Sequence, residues 1–136
     1  MPTYSNVSTN RLATADPRLQ AVFNKVLVLG FDHTILCGWR NGADQHDAFL
    51  RGCSKLDYPP GGNHNKTPSQ AVDAQPYPDK DNQKRWIQNQ IFFAGVVVAV
   101  GATMGYKIRW GGDWDQDRDM TDENGLIDFP HYEIIN

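Results

Sequence analysis

The chain has 136 residues, the length of one domain, and 40% of them are apolar, which suffices for a single core and leaves no room for an appended binding module. Its net charge of −3 is uneven: residues 113 to 123 carry six acids against one base, whereas the remainder carries ten acids against twelve bases. No basic stripe with interleaved aromatics occurs, which argues against nucleic acid as a partner, and two cysteines are too few for a disulfide scaffold.

Met1 to Ser5 has neither a basic stretch nor an apolar run, so no secretory signal is expected and the protein is expected to stay in the cytoplasm where it is made. Asp16-Pro17 reads as a helix start, with Asp as the cap and Pro at the first helical position. Leu19, Val22, Phe23, Val26 and Leu27 follow at helical spacing, and Gly30 closes the helix. Thr34 to Cys37 reads as a strand ending at Gly38-Trp39-Arg40. Residues 43 to 51 read as a second helix, stopped by Gly52.

Residues 53 to 69 are rich in Pro, Gly, Asn and Lys and read as a loop, a common place for functional groups. It contains His64. Gln70 to Gln75 reads as a short strand carrying Asp73. A long helix is expected from Asp81 to Gly105, with an almost wholly apolar second half, Ile91 to Met104. That run falls short of the roughly 20 residues a membrane span needs, so the reading is a buried core helix without stable membrane insertion. Lys107 to Trp110 and His131 to Ile135 read as the last strands. Strands and helices do not alternate regularly, and the expected class is α+β, a small, mostly antiparallel sheet with helices packed against it in one domain. Cys37 and Cys53 are expected to be reduced, partly buried thiols of structural role, or at most one bridge.

Two histidines and a carboxylate, His64, Asp73 and His131, can supply the three protein ligands of a catalytic zinc, with Asp128 placed to take a proton from the water. Each alone is ordinary. A histidine in a Gly/Asn-rich loop is usually solvated, and a polar face in a terminal strand is usually an edge. Asp73 is less ordinary, because a charge within an apolar strand must be paired or metal-bound. Alternation places His131 and Glu133 on one face of their strand. The acidic loop Asp113, Asp115, Asp117 and Asp119 puts carboxylates at every second position, as calcium loops do, although no Gly or Glu completes the EF-hand pattern.

Together, four segments resemble a family. These are Gly38-Trp39-Arg40, His64 with Ala71-Val72-Asp73, Trp110-Gly111-Gly112-Asp113, and Asp128-Phe129-Pro130-His131-Tyr132-Glu133. They are similar to the zinc D-alanyl-D-alanine carboxypeptidases and L-alanyl-D-glutamate peptidases of the hedgehog/DD-peptidase fold, especially the small phage endolysins. The resemblance runs from Asn10 to the C-terminus. It implies zinc held by His64, Asp73 and His131, Asp128 as base, and Arg40 as the group that steadies the oxyanion or binds a substrate carboxylate. Gln45, Trp110, Asp113 and Glu133 become candidates for support of the ligands or contact with substrate. The step of nine residues from His64 to Asp73 exceeds the family's usual step by two, which marks an insertion within Asn65 to Gln70. His33 and His46 are fallback ligands outside any matching motif.

The resemblance implies a zinc peptidase acting on peptidoglycan stem peptides, at an L-Ala–D-Glu or a D-Ala–D-Ala bond; the chain is expected to be a monomer. It would be a phage lysis enzyme that reaches the wall from the host cytoplasm after release. The rival reading is a non-enzymatic module of the same fold that binds calcium and a ligand. An acid at position 128 favours the enzyme.

Overall fold

A computed structural model describes residues 1–77, 82–121 and 127–135. The elements run α1 (Asn6–Leu12), α2 (Pro17–Val28), β1 (His33–Cys37), α3 (Gly42–Leu50), a 3₁₀ turn (Asn63–Asn65), β2 (Ala71–Pro76), α4 (Gln83–Thr103), β3 (Lys107–Trp110) and β4 (His131–Ile135). The four strands form one antiparallel sheet in the order β1-β2-β4-β3. The class is the expected α+β.

Local chemistry explains the helix ends. Asp16 caps α2 by accepting from the Arg18 N–H, Pro17 opens the first turn, and Gly30 follows the helix at φ +97. Asn41 and Asn82 cap α3 and α4 in the same way. Ser5 caps α1 by accepting from the Ser8 N–H. The helix is also fixed from outside: the Ser8 hydroxyl accepts the Ile35 N–H, and Arg11 donates to the Ile35 carbonyl.

One face of the sheet is apolar and meets α2 and α4. Leu19, Phe23, Ile35, Val72, Val97 and Tyr132 are all buried there. Each large apolar side chain so buried contributes about 1.5–3 kcal/mol relative to an exposed one. α4 buries Phe93, Ala94, Val97 and Val100, but Ile91, Phe92 and Val98 on its other side are exposed. The helix is therefore buried on one face, not throughout. By length and composition alone it could cross a membrane, and 33% of its most apolar window is buried.

The other face of the sheet is polar, and the register aligns it. Asp73 lies opposite His131 across β2 and β4, and Cys37 opposite Asp73 across β1 and β2. One step along, Glu133 lies between Ala71 and Arg109. The row Cys37–Asp73–His131 and the neighbouring pair Glu133–Arg109 thus lie on the side of the sheet away from the core.

Candidate active site

His64, Asp73 and His131 meet on this polar face. Nε2 of His64 lies 3.1 Å from Oδ1 of Asp73, Nδ1 of His131 lies 3.4 Å from the same oxygen, and the two imidazole rings stand 5.2 Å apart. The 3₁₀ turn carries His64 to this place. Its Asn65 side chain donates to the Arg40 carbonyl, and the Arg40 N–H donates to the His64 carbonyl. From this turn His64 faces Asp73 across the nine-residue step between them.

Each imidazole is held by its outer nitrogen. Nδ1 of His64 lies 2.7 Å from the Gly38 carbonyl, to which it donates, and Nε2 of His131 lies 2.7 Å from Oε1 of Glu133. These contacts leave Nε2 of His64 and Nδ1 of His131 facing Asp73, where they would offer lone pairs to a metal once the rings are neutral. Fixed tautomers of this kind, with carbonyl and carboxylate partners behind the rings, are what metal-ligating histidines require. Two imidazoles and a carboxylate converging on one point suit zinc. The donor set therefore fits the metal.

The electrostatics show how closely these groups are coupled. Burial opposes charge on His64, but the Asp73 carboxylate outweighs it and raises the ring to about 10. His131 is also raised, by Asp73 and Glu133 against burial. Burial likewise opposes the Asp73 charge, and the two imidazoles hold its carboxyl well below the usual range. Glu133 is held low by His131 and by Arg109, which donates to it.

Asp128 and Arg40 open onto the same cleft, a space of about 940 Å³ that also exposes Gln45, His64, Asp73 and His131. Burial against the cleft wall raises the Asp128 carboxyl and the Asp73 charge adds to this, while His131, His64 and Arg40 pull the other way. Among the described residues no hydrogen bond claims its side chain. The turn from Asp128 to His131 is fixed by Gly111, whose N–H donates to the His131 carbonyl and whose carbonyl accepts the Asp128 N–H. A Cβ at Gly111 would stand 2.2 Å from the Asp128 carbonyl oxygen, so only glycine lets the two segments approach. Gly38 is constrained in the same way, its Cβ position lying 2.3 Å from the Arg11 carbonyl oxygen. Arg40 lies 3.7 Å from Asp73 and donates to Oε1 of Gln45, whose amide is fixed in turn by Ser54 and the Leu56 carbonyl.

Other expected residues fall elsewhere. Trp110 is buried, and its indole donates to the Phe129 carbonyl, which fastens the Asp128–His131 turn from behind the cleft. Asp113 lies outside the cleft lining. Donor atoms of Asp113, Asp115 and Asp117 gather within 4.8 Å, whereas Asp119 accepts from Thr121. His33 is buried against Tyr4 and Phe93, and His46 pairs with Asp57 at the surface. Neither fallback histidine reaches Asp73. Cys53 is exposed rather than partly buried, and both cysteines are free.

Three site residues escaped the sequence reading. Arg109 pairs with Glu133, and Trp114 stacks on His131 at 5.1 Å with the Arg109 guanidinium 5.9 Å from its ring. The third is Cys37, whose sulfur lies within 4.8 Å of donor atoms of His64 and Asp73. Alternation along β3 could have pointed to Arg109. Nothing in the sequence points to Trp114.

A family model described as phage L-alanyl-D-glutamate peptidase matches residues 2–135. The L-alanyl-D-glutamate peptidase of Escherichia phage T5 is 32% identical over 133 residues, covering 94% of this chain and 94% of that protein. The crystal structure of Serratia marcescens L-Ala D-Glu endopeptidase ChiX matches with a TM-score of 0.72 at 22% identity, over 97% of this chain and 89% of that one. At that identity it bears on the fold alone.

Proposed function

Since the chain belongs to the phage L-alanyl-D-glutamate peptidase family, we propose that it hydrolyses the L-alanine–D-glutamate bond of peptidoglycan stem peptides with zinc held by His64, Asp73 and His131. The observation that carries the metal site is the pair of imidazoles converging on Asp73, each fixed by its outer nitrogen. When bound, zinc would polarise both a water molecule and the scissile carbonyl.

The chain's own residues supply the remaining steps. Asp128 accepts the proton of the attacking water at its carboxylate. The water oxygen bonds to the alanyl carbonyl carbon, the C–N bond breaks, and Asp128 returns the proton to the leaving amine of D-glutamate. Its raised pKa brings it nearer to the pH at which it must both take and give a proton. Glu133 is the competing acid, but His131 and Arg109 already hold its carboxylate. Arg40, oriented by Gln45, supplies positive charge for the developing oxyanion or for a substrate carboxylate.

A phage lysis role follows from the family: the enzyme acts on the host wall once it is released. The L-alanyl-D-glutamate bond is preferred over the D-Ala–D-Ala bond because the family model and the T5 relative both carry the L-alanyl-D-glutamate description. The gathered carboxylates of Asp113, Asp115 and Asp117 would suit a second, weak cation such as calcium. The test is clearance of Gram-negative cells stripped of their outer membrane. Clearance should stop with a chelator and return with zinc. Clearance that is indifferent to the chelator would overturn the metal reading.

A further inference from the structure

The register between β1 and β2 brings Cys37 into the site by an irregular route. Ile35 lies opposite Ala74 and Cys37 opposite Asp73, so Leu36 has no counterpart between them. This is a β-bulge, a device that re-aims a side chain. Strict alternation from the buried Ile35 would send Cys37 into the core. The extra residue turns it instead to the polar face, where its Sγ, a ring nitrogen of His64 and a carboxylate oxygen of Asp73 lie within 4.8 Å of one another.

Bonding to the backbone does not account for that placement. The sulfur hydrogen-bonds the His64 imidazole, and its contact with the backbone, at the Gly38 carbonyl, is a long one of 3.5 Å. That oxygen already accepts from Nδ1 of His64 at 2.7 Å and from the Ser69 hydroxyl at 3.1 Å. Nor does the core need the sulfur, which lies outside it. What remains is a soft donor beside an imidazole and a carboxylate that already converge.

Resting on the His64–Asp73–His131 reading, we propose that Cys37 is a fourth protein donor to the same metal. Its thiol proton passes to solvent as the sulfur–metal bond forms. Zinc accepts thiolate, imidazole and carboxylate together. Three protein donors leave a position for the water that a peptidase needs, and four do not. Cys37 therefore competes with water for the metal and defines a resting form that keeps zinc firmly while holding hydrolysis back.

The test is titration of the metal-free protein with cobalt(II), which reports sulfur ligation by a thiolate-to-cobalt charge-transfer band in the near ultraviolet. The wild-type protein should take up cobalt and show the band. Cys37→Ser should lose it and bind cobalt at least about tenfold more weakly. Cys53→Ser, at the exposed cysteine, should keep it. In case Cys37→Ser misfolds, alkylation by iodoacetamide is followed in the Cys53→Ser protein, where bound zinc should shield Cys37. Cobalt uptake with visible ligand-field bands but no charge-transfer band overturns the proposal and leaves the His–Asp–His site standing. So does a band that survives Cys37→Ser, or alkylation that zinc does not slow. Failure to take up cobalt at all overturns both.

Discussion

Oε1 of Glu133 lies 2.7 Å from Nε2 of His131, and this contact decides which nitrogen of the ring faces Asp73. Glu133 is itself fixed by Arg109, so a chain of polar contacts runs from β3 through Glu133 and His131 to Asp73. Glu133→Gln should weaken zinc binding by about 10–100-fold, the usual consequence of disturbing a ligand's partner. Competition with a chromophoric chelator measures it. Unchanged affinity would show that Glu133 does not hold the ring.

Asp128→Asn should separate chemistry from metal binding. An amide cannot accept the water's proton, so turnover should fall by about 10²–10⁴-fold. Zinc content and thermal unfolding should stay as in the wild type, because the fixed hydrogen bonds of the Asp128 turn are made by its backbone. If Asp128→Asn keeps its turnover while Glu133→Gln loses it with zinc still bound, the two roles are exchanged.

Calcium should bind weakly at Asp113, Asp115 and Asp117, in the ~10⁻⁴–10⁻³ M range of low-affinity sites. Burial and the charges of Asp117 and Asp115 raise the Asp113 carboxyl, a repulsion that a divalent cation would relieve. The loop is already organised by its own side chains, since Asp113 accepts from the Asp117 and Arg118 N–H groups. Calcium should therefore tighten the loop rather than create it. Proteolysis and activity across a calcium titration at fixed zinc provide the check. Identical cleavage patterns and rates would mean a solvated loop.

The cap of α2 sets a stability prediction outside the site. The Arg18 side chain, opposed by burial, is the main influence holding the Asp16 carboxyl below its ordinary value of 3.8. A depressed carboxyl contributes stability that is present above the unfolded value and lost as pH falls through the folded one. Asp16→Ala should therefore cost about 0.5–2 kcal/mol near neutrality. The gap to wild type should close as pH falls below 3.8. Denaturant melts at several pH values measure this, and a gap that persists in acid would contradict it.

Much of this was legible in the sequence because the signals were local. Asp16-Pro17 marked α2, and alternation in β4 put His131 and Glu133 on one face, where they do touch. What escaped depends on contacts between distant segments. α1 is short and poor in strong helix formers, and its hold comes from Ile35 in β1. Cys37 escaped because a bulge is a property of two strands together, and alternation along β1 alone gives the wrong face. Trp110 resembled a cleft residue by its neighbours Gly111 and Gly112, but its strand position turns it to the core.

The central claim is a zinc-dependent cut between L-alanine and D-glutamate made at His64, Asp73 and His131. Mass spectrometry of purified peptidoglycan digested by the zinc-loaded protein tests it most directly. The account predicts stem peptides released with D-glutamate as the new N-terminal residue, products that vanish with a chelator and in His131→Ala. Products cut at the D-Ala–D-Ala bond, or L-Ala–D-Glu cleavage that persists without metal, would contradict it.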